Sequence, residues 1–281
     1  MKVVLLRGRD SCEIGATTFG GDARAAVALS IGGAAKRYAH TDPNEDAALL
    51  AEGPGGLLVA VADGHGGAEG SESALEFLRD GPAARWTGAD GLGAAWPLVA
   101  REALAGANEA VLARQSGRRR ARTTLALALV RPADDLLAFA SVGDSQVFAA
   151  ETSRVLELTL SPSEPALPCF LGRERESAGS LAARSLAGSR SLAATRAVVL
   201  ATDGLSERGV GVEDPLAAVA EAVAGAAREA RGAGAREAAR RLLATALAAH
   251  QRNPSGDNVA VAVVWVGGEP RRESPLSALL R

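Results

Sequence analysis

The sequence is poor in the residues that form disulfides and in those that bind metals through nitrogen or sulfur. It contains two cysteines and three histidines in 281 residues. Cys12 and Cys169 lie far apart and form no motif, which excludes a disulfide framework and a paired-cysteine zinc site. His40, His65 and His250 share no ligand spacing, which excludes a histidine-pair zinc motif. So few cysteines are consistent with a reducing compartment, and we expect a cytoplasmic protein.

Neither an excess of one charge nor a long apolar run is present. The 33 acidic residues nearly balance the 31 basic ones, so the charge gives no reason to expect nucleic-acid binding. The longest apolar runs fall well below the roughly 18 residues that a membrane helix needs. Arg7, Arg9 and Asp10 interrupt the first segment too early for a signal peptide. We therefore expect neither nucleic acid nor a membrane as a partner.

The most informative stretch of the sequence lies in the first quarter of the chain, where an apolar run ends in an acid and several glycines. Six apolar residues, Leu57–Ala62, run directly into Asp63, and glycines surround His65. An unbroken run of this length is typical of a buried strand or a short buried helix, and its β-branched residues and glycine-rich end favour the strand. A single Asp-Gly pair at such a place is most often only a turn.

An acid at the end of an apolar run recurs four more times. These acids are Asp46, Asp144, Asp203 and Asp257. Five such acids are too many for independent turns, so we expect the strand ends to converge on one acidic rim. Packed carboxylates raise one another's pKa, and hard cations that prefer oxygen ligands remove that cost. The sequence therefore predicts a magnesium or manganese site, with one ion or with two ions that share a carboxylate.

Five short blocks resemble, in order, the signature blocks of the type-2C serine/threonine protein phosphatases, the metal-dependent PPM class. The blocks are Asn44–Asp46, Val61–Gly67, Val142–Ser145, Ala201–Leu205 and Gly256–Val259. Each block is modest alone, but five in this order are highly specific. The resemblance spans roughly residues 30 to 266, and it is to the bacterial type, because little besides these blocks is present.

The resemblance implies two bound ions, magnesium or manganese, and a third, weaker ion. The residues that it assigns to them are Asp46, Asp63, the carbonyl of Gly64, Asp203 and Asp257, with Glu45 acting through water and Asp144 binding the third ion. In this assignment Asp63 bridges the two ions. We also expect Asn258 to brace the turn that presents Asp257.

The sequence leaves direct attack by metal-activated water as the route to phosphate-ester hydrolysis. No cysteine motif, phosphoaspartate motif or G-x-S-x-G stretch offers a covalent route. His65 follows Asp63 by two residues, and an imidazole with a pKa near neutrality suits a general acid. The alternative is a loop histidine that only hydrogen-bonds a ligand carboxylate. We expect His40 and His250 at the surface.

One position departs from the family. Its members usually carry a phosphate-binding arginine five residues before the aspartate of the first block, and here that position is Thr41. Lys36 and Arg37 are the other candidate substrate-binding residues, although they are out of register. The expected function is hydrolysis of phosphoserine and phosphothreonine in proteins, with a serine/threonine kinase or its targets as partners. The alternatives are a phosphoprotein-binding module with weak or no activity and a hydrolase of small phosphate esters.

The order of predicted elements indicates an α+β protein, because many strands precede paired helices without strict alternation. The resemblance sharpens this to an αββα sandwich of two antiparallel sheets flanked by helices. We expect one phosphatase-like catalytic domain over residues 1–266, with a flap-like irregular insertion over 161–190 and a loose tail over 267–281. The predicted helices are Ala68–Arg79, Ala94–Arg114, Asp214–Arg231 and Ala235–Gln251.

Four arginines lie close together in the segment Gly117–Arg122. They are Arg118, Arg119, Arg120 and Arg122. A solvated loop is one interpretation of this cluster. A contact surface for acidic or phosphorylated partners is the other, and the sequence leaves both open.

Overall fold

The computed structural model describes residues 1–92, 95–115, 120–159, 169–173, 181, 183–229 and 234–267. The described strands are β1 (Lys2–Arg7), β2 (Thr18–Gly21), β3 (Ala25–Ser30), β4 (Ala47–Glu52), β5 (Leu57–Ala62), β6 (Gly64–His65), β7 (Arg122–Thr123), β8 (Leu125–Arg131), β9 (Leu136–Val142), β10 (Gln146–Glu151), β11 (Val155–Glu157), β12 (Leu186–Ser191), β13 (Thr195–Ala201) and β14 (Val259–Trp265). The helices named below are α1 (Glu69–Asp80), α2 (Pro82–Trp86), α3 (Trp96–Arg114), α4 (Pro215–Glu229) and α5 (Gly234–Arg252).

Two antiparallel sheets form the centre of the molecule. The first has the strand order β1-β4-β5-β8-β9-β12, and the second has the order β11-β10-β13-β14-β3-β2. Helices α1, α2 and α3 cover the outer face of the first sheet, and α4 and α5 cover the outer face of the second. The predicted αββα sandwich is therefore confirmed. None of the helices in the described ranges is long and apolar enough to span a membrane.

The central strands are apolar along their whole length because both of their faces are covered. In β5, Leu58 and Ala60 pack against the helices, while Val59 and Val61 pack against the second sheet. Every residue of β5 is buried. The same burial explains why this antiparallel strand lacks the alternation of apolar and polar residues that a sheet with one wet face shows.

Antiparallel pairing gathers the acidic strand ends at one edge of the sandwich. The first residue of β4, Ala47, pairs with the last residue of β5, Ala62. Asp46, which precedes β4, and Asp63, which follows β5, are therefore neighbours at this edge. In the second sheet the end of β13 pairs with the beginnings of β10 and β14. Asp203 comes just after β13, and Asp257 comes just before β14, so both lie at this edge. The predicted convergence follows from this alternation of chain direction.

The main correction concerns the end of the predicted insertion. Leu186–Arg190 belongs to β12, which pairs with β9 at the edge of the first sheet. Leu186 packs against the core between the sheets. The residues that follow are mostly small or polar, and a Cβ on Gly188 would lie 2.6 Å from the Phe139 ring, so the strand also packs by close approach of its backbone. Most of the rest of the insertion and all but the first residue of the tail lie outside the described residues, and the single-domain division stays a prediction.

Candidate active site

Two overlapping groups of carboxylates occupy the acidic edge. The carboxylate oxygens of Asp63, Asp144 and Asp203 lie within 4.8 Å of one another, and so do those of Asp203, Glu207 and Asp257. Asp203 belongs to both groups. The structure therefore brings four of the predicted ligands together and adds Glu207 to them.

Burial and mutual repulsion disfavour the charged form of these groups. Burial, followed by the charge of Asp63, raises the pKa of Asp203 and of Asp46 well above the usual range of an aspartate. The same two causes raise the pKa of Asp144. A dense set of oxygen ligands whose charges repel one another fits magnesium or manganese, because such cations offset the repulsion.

Asp46 and Glu45 enter the site just before β4. Asp46 is 1% exposed, and the hydroxyl of Thr202 donates a 2.7 Å hydrogen bond to its Oδ2. Glu45 turns its carboxylate toward its own loop, where Oε1 accepts hydrogen bonds from the backbone of Thr41 at 2.9 Å and of Asp42 at 3.0 Å. Asp46 thus faces the other carboxylates, whereas Glu45 shapes the loop that carries Thr41.

Lys36 supplies a positive charge from inside the cluster. Its Nζ lies 3.2 Å from Oδ1 of Asp257, and its side chain is only 5% exposed. Burial acts against the ammonium charge, but the charges of Asp257 and Asp46 outweigh it, so the pKa of Lys36 is raised. The hydroxyl of Tyr38 donates to the same oxygen of Asp257. These contacts place the ammonium of Lys36 within the carboxylate cluster, and its role in substrate binding stays a prediction.

The other two candidate substrate-binding residues lie on the exposed part of the same loop. The backbone N–H of Arg37 donates to Oγ of Ser255 at 3.1 Å, and the backbone N–H of Thr41 is held by Glu45. Both side chains are exposed. Their role in phosphate binding stays a prediction.

His65 stands at the border of the cluster. Its Nδ1 lies 3.4 Å from Oδ2 of Asp63, and its side chain is 45% exposed. The hydrogen bond with Asp63 is the main cause that raises the pKa of His65, and burial acts in the opposite direction. The ring also packs against that of Phe170 at 4.8 Å between centroids. Asp63 therefore orients the imidazole by one nitrogen, and Nε2 lies on the other side of the ring.

Asn258 connects three segments beside Asp257. Its Oδ1 accepts a 2.8 Å hydrogen bond from the backbone of Glu45, and its Nδ2 donates to the carbonyls of Ile31 at 3.2 Å and Pro43 at 3.1 Å. Its own backbone N–H donates to Asp257 Oδ1 at 2.7 Å. The predicted bracing of Asp257 is confirmed, and it extends to the first acidic block.

The expectation that His250 lies at the surface is wrong, because its side chain is fully buried. Its Nδ1 accepts a hydrogen bond from the backbone of Gly33 at 3.2 Å, and its Nε2 donates to the carbonyl of Gly204 at 2.7 Å. Burial lowers the pKa of His250. Both partners are far away in the sequence, so the local pattern of α5 carries no sign of them. His40 is exposed, as expected.

Two glycines permit close backbone contacts at the site. Gly32 has a φ of +114°, and a Cβ there would lie 2.3 Å from the carbonyl oxygen of Asp257. A Cβ on Gly64 would lie 2.4 Å from the carbonyl oxygen of Glu45. Any larger residue at either position would push the loops that carry the acids apart.

Sequence reasoning missed three residues of the site. Glu207 follows Asp203 by four residues on the turn that begins at Asp203, and this spacing of two acids was an available signal. Tyr38 and Phe170 reach the site through contacts with residues that are distant in the sequence, Asp257 and His65 respectively. No local pattern indicates such contacts.

Solved structures with the same fold include bacterial serine/threonine phosphatases. The serine/threonine phosphatase PstP/Ppp of Mycobacterium tuberculosis is 20% identical with a TM-score of 0.60, and the alignment covers 90% of this chain and 99% of that one. Stp1 of Staphylococcus aureus is 19% identical with a TM-score of 0.60, covering 91% and 98%. The catalytic domain of PstP in complex with two manganese ions is 22% identical with a TM-score of 0.58, covering 89% and 100%. At these identities the likeness shows the fold alone.

The sequence itself carries the family assignment. No curated protein sequence matches the chain. The profile of the family described as Protein phosphatase 2C matches residues 34–248, which is well over half of the chain. This range contains the predicted ligands Asp46, Asp63, Asp144 and Asp203, and Asp257 follows it. The chain therefore belongs to the protein phosphatase 2C family and is a metal-dependent serine/threonine protein phosphatase.

Proposed function

We propose that the acidic edge of the sandwich is the site at which this phosphatase hydrolyses phosphoserine and phosphothreonine in proteins. The observation that carries the proposal is the pair of carboxylate groups that share Asp203, with His65 beside Asp63. Hydrolysis consumes water and an ester, and it yields inorganic phosphate and a free hydroxyl. The site must therefore neutralise a dianion and return a proton to the leaving oxygen.

The donor set supports two magnesium or manganese ions and a third, weaker one. When bound, these ions supply Lewis-acid activation of the phosphate and of water. The residues that would hold the first two are Asp46, Asp63, the carbonyl of Gly64, Asp203 and Asp257, with Glu45 acting through water, and Asp144 would hold the third. Glu207 lies beside Asp203 and Asp257 and would offer one more oxygen ligand.

His65 is the proposed general acid. Asp63 holds Nδ1 and favours the protonated ring, as the raised pKa of His65 indicates. The proton on Nε2 then lies on the side of the imidazole away from that carboxylate. From there it can pass to the seryl or threonyl oxygen as the phosphate ester breaks. General acids contribute roughly 10²- to 10⁴-fold to turnover when the leaving group needs a proton.

The experiment compares wild type and His65→Ala on two substrates, a phosphoserine peptide and p-nitrophenyl phosphate, with manganese added. Since nitrophenolate leaves without a proton, we expect His65→Ala to lower kcat for the peptide by roughly 10²-fold or more and for p-nitrophenyl phosphate much less. His40→Ala, a change at an exposed histidine, is the matched control and should leave both rates unchanged. Equal losses on the two substrates would show that His65 only supports the structure of the site.

The same assay distinguishes the alternative functions. A binding module without activity would release no phosphate from any substrate, and a small-ester hydrolase would release it from p-nitrophenyl phosphate but not from peptides. The intact carboxylate set supports activity, whereas Thr41 in place of an arginine is the one feature that supports the binding module. Cytoplasmic phosphoproteins, among them a serine/threonine kinase or its targets, are the proposed partners in signalling.

A further inference from the structure

One arginine of the cluster that follows α3 lies next to His65, the proposed general acid. Arg122 pairs with His65 across the ribbon formed by β6 and β7. Its guanidinium carbon lies 5.1 Å from the centroid of the Phe170 ring, and the ring of His65 lies 4.8 Å from the same centroid. Arg118 and Arg119 lie outside the described residues.

A second cation stands at the same ring. The guanidinium carbon of Arg173 lies 5.8 Å from the centroid of Phe170. Two positive charges around one aromatic ring repel each other, and cation–π contacts compensate only in part. Among the described residues, Arg122 forms no ion pair with a carboxylate. This end of the site therefore has the charge that favours an anion.

The backbone holds these side chains in place. Leu171 and Thr123 exchange two backbone hydrogen bonds, at 2.8 Å and 3.2 Å, and the backbone N–H of Gly172 donates to the buried Oδ1 of Asn108 at 2.8 Å. Phe170 itself is 7% exposed. The segment between Phe170 and Arg173 is thus attached to β7 and to α3, and the two arginines are presented from a braced framework.

The position of this framework determines what it can contact. Asp63 occupies Nδ1 of His65 on the side of the carboxylates, so the leaving oxygen belongs on the side of Nε2. The part of the substrate that continues from the leaving oxygen is the peptide chain. Arg122 and Arg173 lie at the Phe170 ring, which contacts His65. This places them beside the leaving group, where they can meet residues next to the phosphorylated one.

We propose that Arg122 and Arg173 bind an anionic group on the residues that flank the phosphorylated serine or threonine, so that the enzyme prefers acidic phosphosites. This inference rests on the proposed function. The anionic group can be a carboxylate of aspartate or glutamate, or a second phosphate. Arginine suits both, because its planar guanidinium binds either group in a bidentate manner.

The test uses the full chain with manganese and four phosphoserine peptides of one length. Their flanking residues are glutamate, a second phosphoserine, glutamine or arginine. We expect kcat/KM to be about three- to tenfold higher with glutamate than with glutamine, and lower again with arginine. The difference should lie in KM, because the flanking contact is the same before and during the reaction. A still higher kcat/KM with the second phosphoserine would identify phosphate as the better ligand.

Reversing the charge of Arg122 is the decisive part of the test. Arg122→Glu should invert the order of the arginine-flanked and glutamate-flanked peptides, a gain that partial unfolding cannot produce. The matched control is Arg236→Glu, because Arg236 also stacks on a phenylalanine, Phe19, at 5.6 Å but lies at the start of α5. We expect this control to keep the wild-type order. Arg173→Glu serves as the second variant if Arg122→Glu does not fold, and its expected result is the same inversion.

The outcomes separate the inference from the function on which it rests. Equal kcat/KM for all four peptides with the wild type, or an unchanged order in a folded Arg122→Glu protein, overturns the inference while the phosphatase function stands. No phosphate release from any peptide overturns both. A preference for glutamate that shrinks with added salt supports the inference, since exposed charges are screened over about 10 Å at 0.1 M.

Discussion

The carboxylates of the site differ in the number of cations and hydrogen-bond donors that contact them. Asp257 has the ammonium of Lys36 and two hydrogen-bond donors, and Asp46 has the hydroxyl of Thr202. Asp203 is surrounded mainly by other acids, and burial together with Asp63 and Asp257 raises its pKa well above the usual range. In the absence of cations, Asp203 is therefore the one of these three aspartates whose charge is compensated least.

Replacing Asp203 should have opposite effects on activity and on the metal-free fold. We expect Asp203→Asn to lower kcat/KM by roughly 10²-fold or more, because it removes an oxygen ligand common to both carboxylate groups. In the presence of a chelator at pH 7, the same variant should melt at a higher temperature than the wild type, because a repelling charge is gone. Phosphate release and thermal melting measure the two effects.

Asp80→Asn is the control for this prediction, since Asp80 is exposed and pairs only with Arg79 in the described structure. It should leave turnover unchanged. A wild-type turnover for Asp203→Asn, or a lower melting temperature in chelator, contradicts the assignment of Asp203.

Lys36 and its neighbour Arg37 offer a matched pair of cations. Lys36 is buried against Asp257, whereas Arg37 is exposed. Lys36→Met leaves a buried carboxylate without its counter-charge, so we expect the free energy of unfolding in chelator to fall by about 3 kcal/mol. Arg37→Met should change it by less than about 0.5 kcal/mol. Urea unfolding measures both.

Measuring the stability of Lys36→Met with and without manganese distinguishes a charge-balancing role of Lys36 from a packing role. The loss caused by Lys36→Met should shrink when manganese is added, because the cation then supplies the positive charge. A loss that is the same with and without manganese would assign Lys36 to packing alone.

At the level of elements, His250 connects α5 to two loops of the site. It bonds to Gly33, which precedes the first acidic block, and to Gly204, which follows Asp203. The bond from Gly33 needs the neutral ring, because Nδ1 accepts it, whereas Nε2 can donate to Gly204 in either protonation state. Burial lowers the pKa of His250 below 6.5, so the unfolded chain takes up a proton near that pH that the folded chain does not.

The stability contributed by neutral His250 is therefore complete above about pH 6.5 and is lost as the pH falls toward the folded pKa. We expect the free energy of unfolding between pH 7.5 and 5.5 to fall less steeply in His250→Gln than in the wild type, by up to about 1.4 kcal/mol per pH unit. Urea unfolding in chelator measures the slope. Buried acids with raised pKa act in the opposite sense, but they are present in both proteins and cancel in the difference. Equal slopes would mean that His250 is protonated in the folded state as well.

At the scale of the whole molecule, the two sheets meet at an edge that carries an excess of negative charge. Cations that bind only the folded protein should therefore stabilise all of it. At a concentration 100 times the dissociation constant, one site contributes about 2.7 kcal/mol, which corresponds to a rise of about 5–10 °C in Tm for a protein of this size. Thermal melting with magnesium or manganese, followed by excess chelator, measures the rise and its reversal.

Asp203→Asn is the matched control for the cation effect and should show a much smaller rise. A wild-type Tm that does not respond to millimolar manganese would mean that the acidic edge holds no cation. Such a result would overturn the metal assignment even if some phosphatase activity remained.

Local pattern predicted most of the architecture and the acids of the site. Doubly covered strands are apolar throughout, and the paired helices have polar and apolar faces, so both types of element are visible in short windows of sequence. The acids could be found because each interrupts or ends an apolar run. Strand β12 could not, because its small, partly exposed residues resemble a loop and only its pairing with β9 makes it a strand.

By itself the sequence determined the family, the two-sheet sandwich and the set of five aspartates, because apolar runs, their ends and short motifs are local properties of the chain. Only the tertiary structure decided which residues surround those aspartates. Lys36 at Asp257, His250 between two loops, and Arg122 and Phe170 beside His65 all depend on contacts between distant segments. Such contacts arise from the packing of the two sheets and their loops, and no short window of sequence contains both partners.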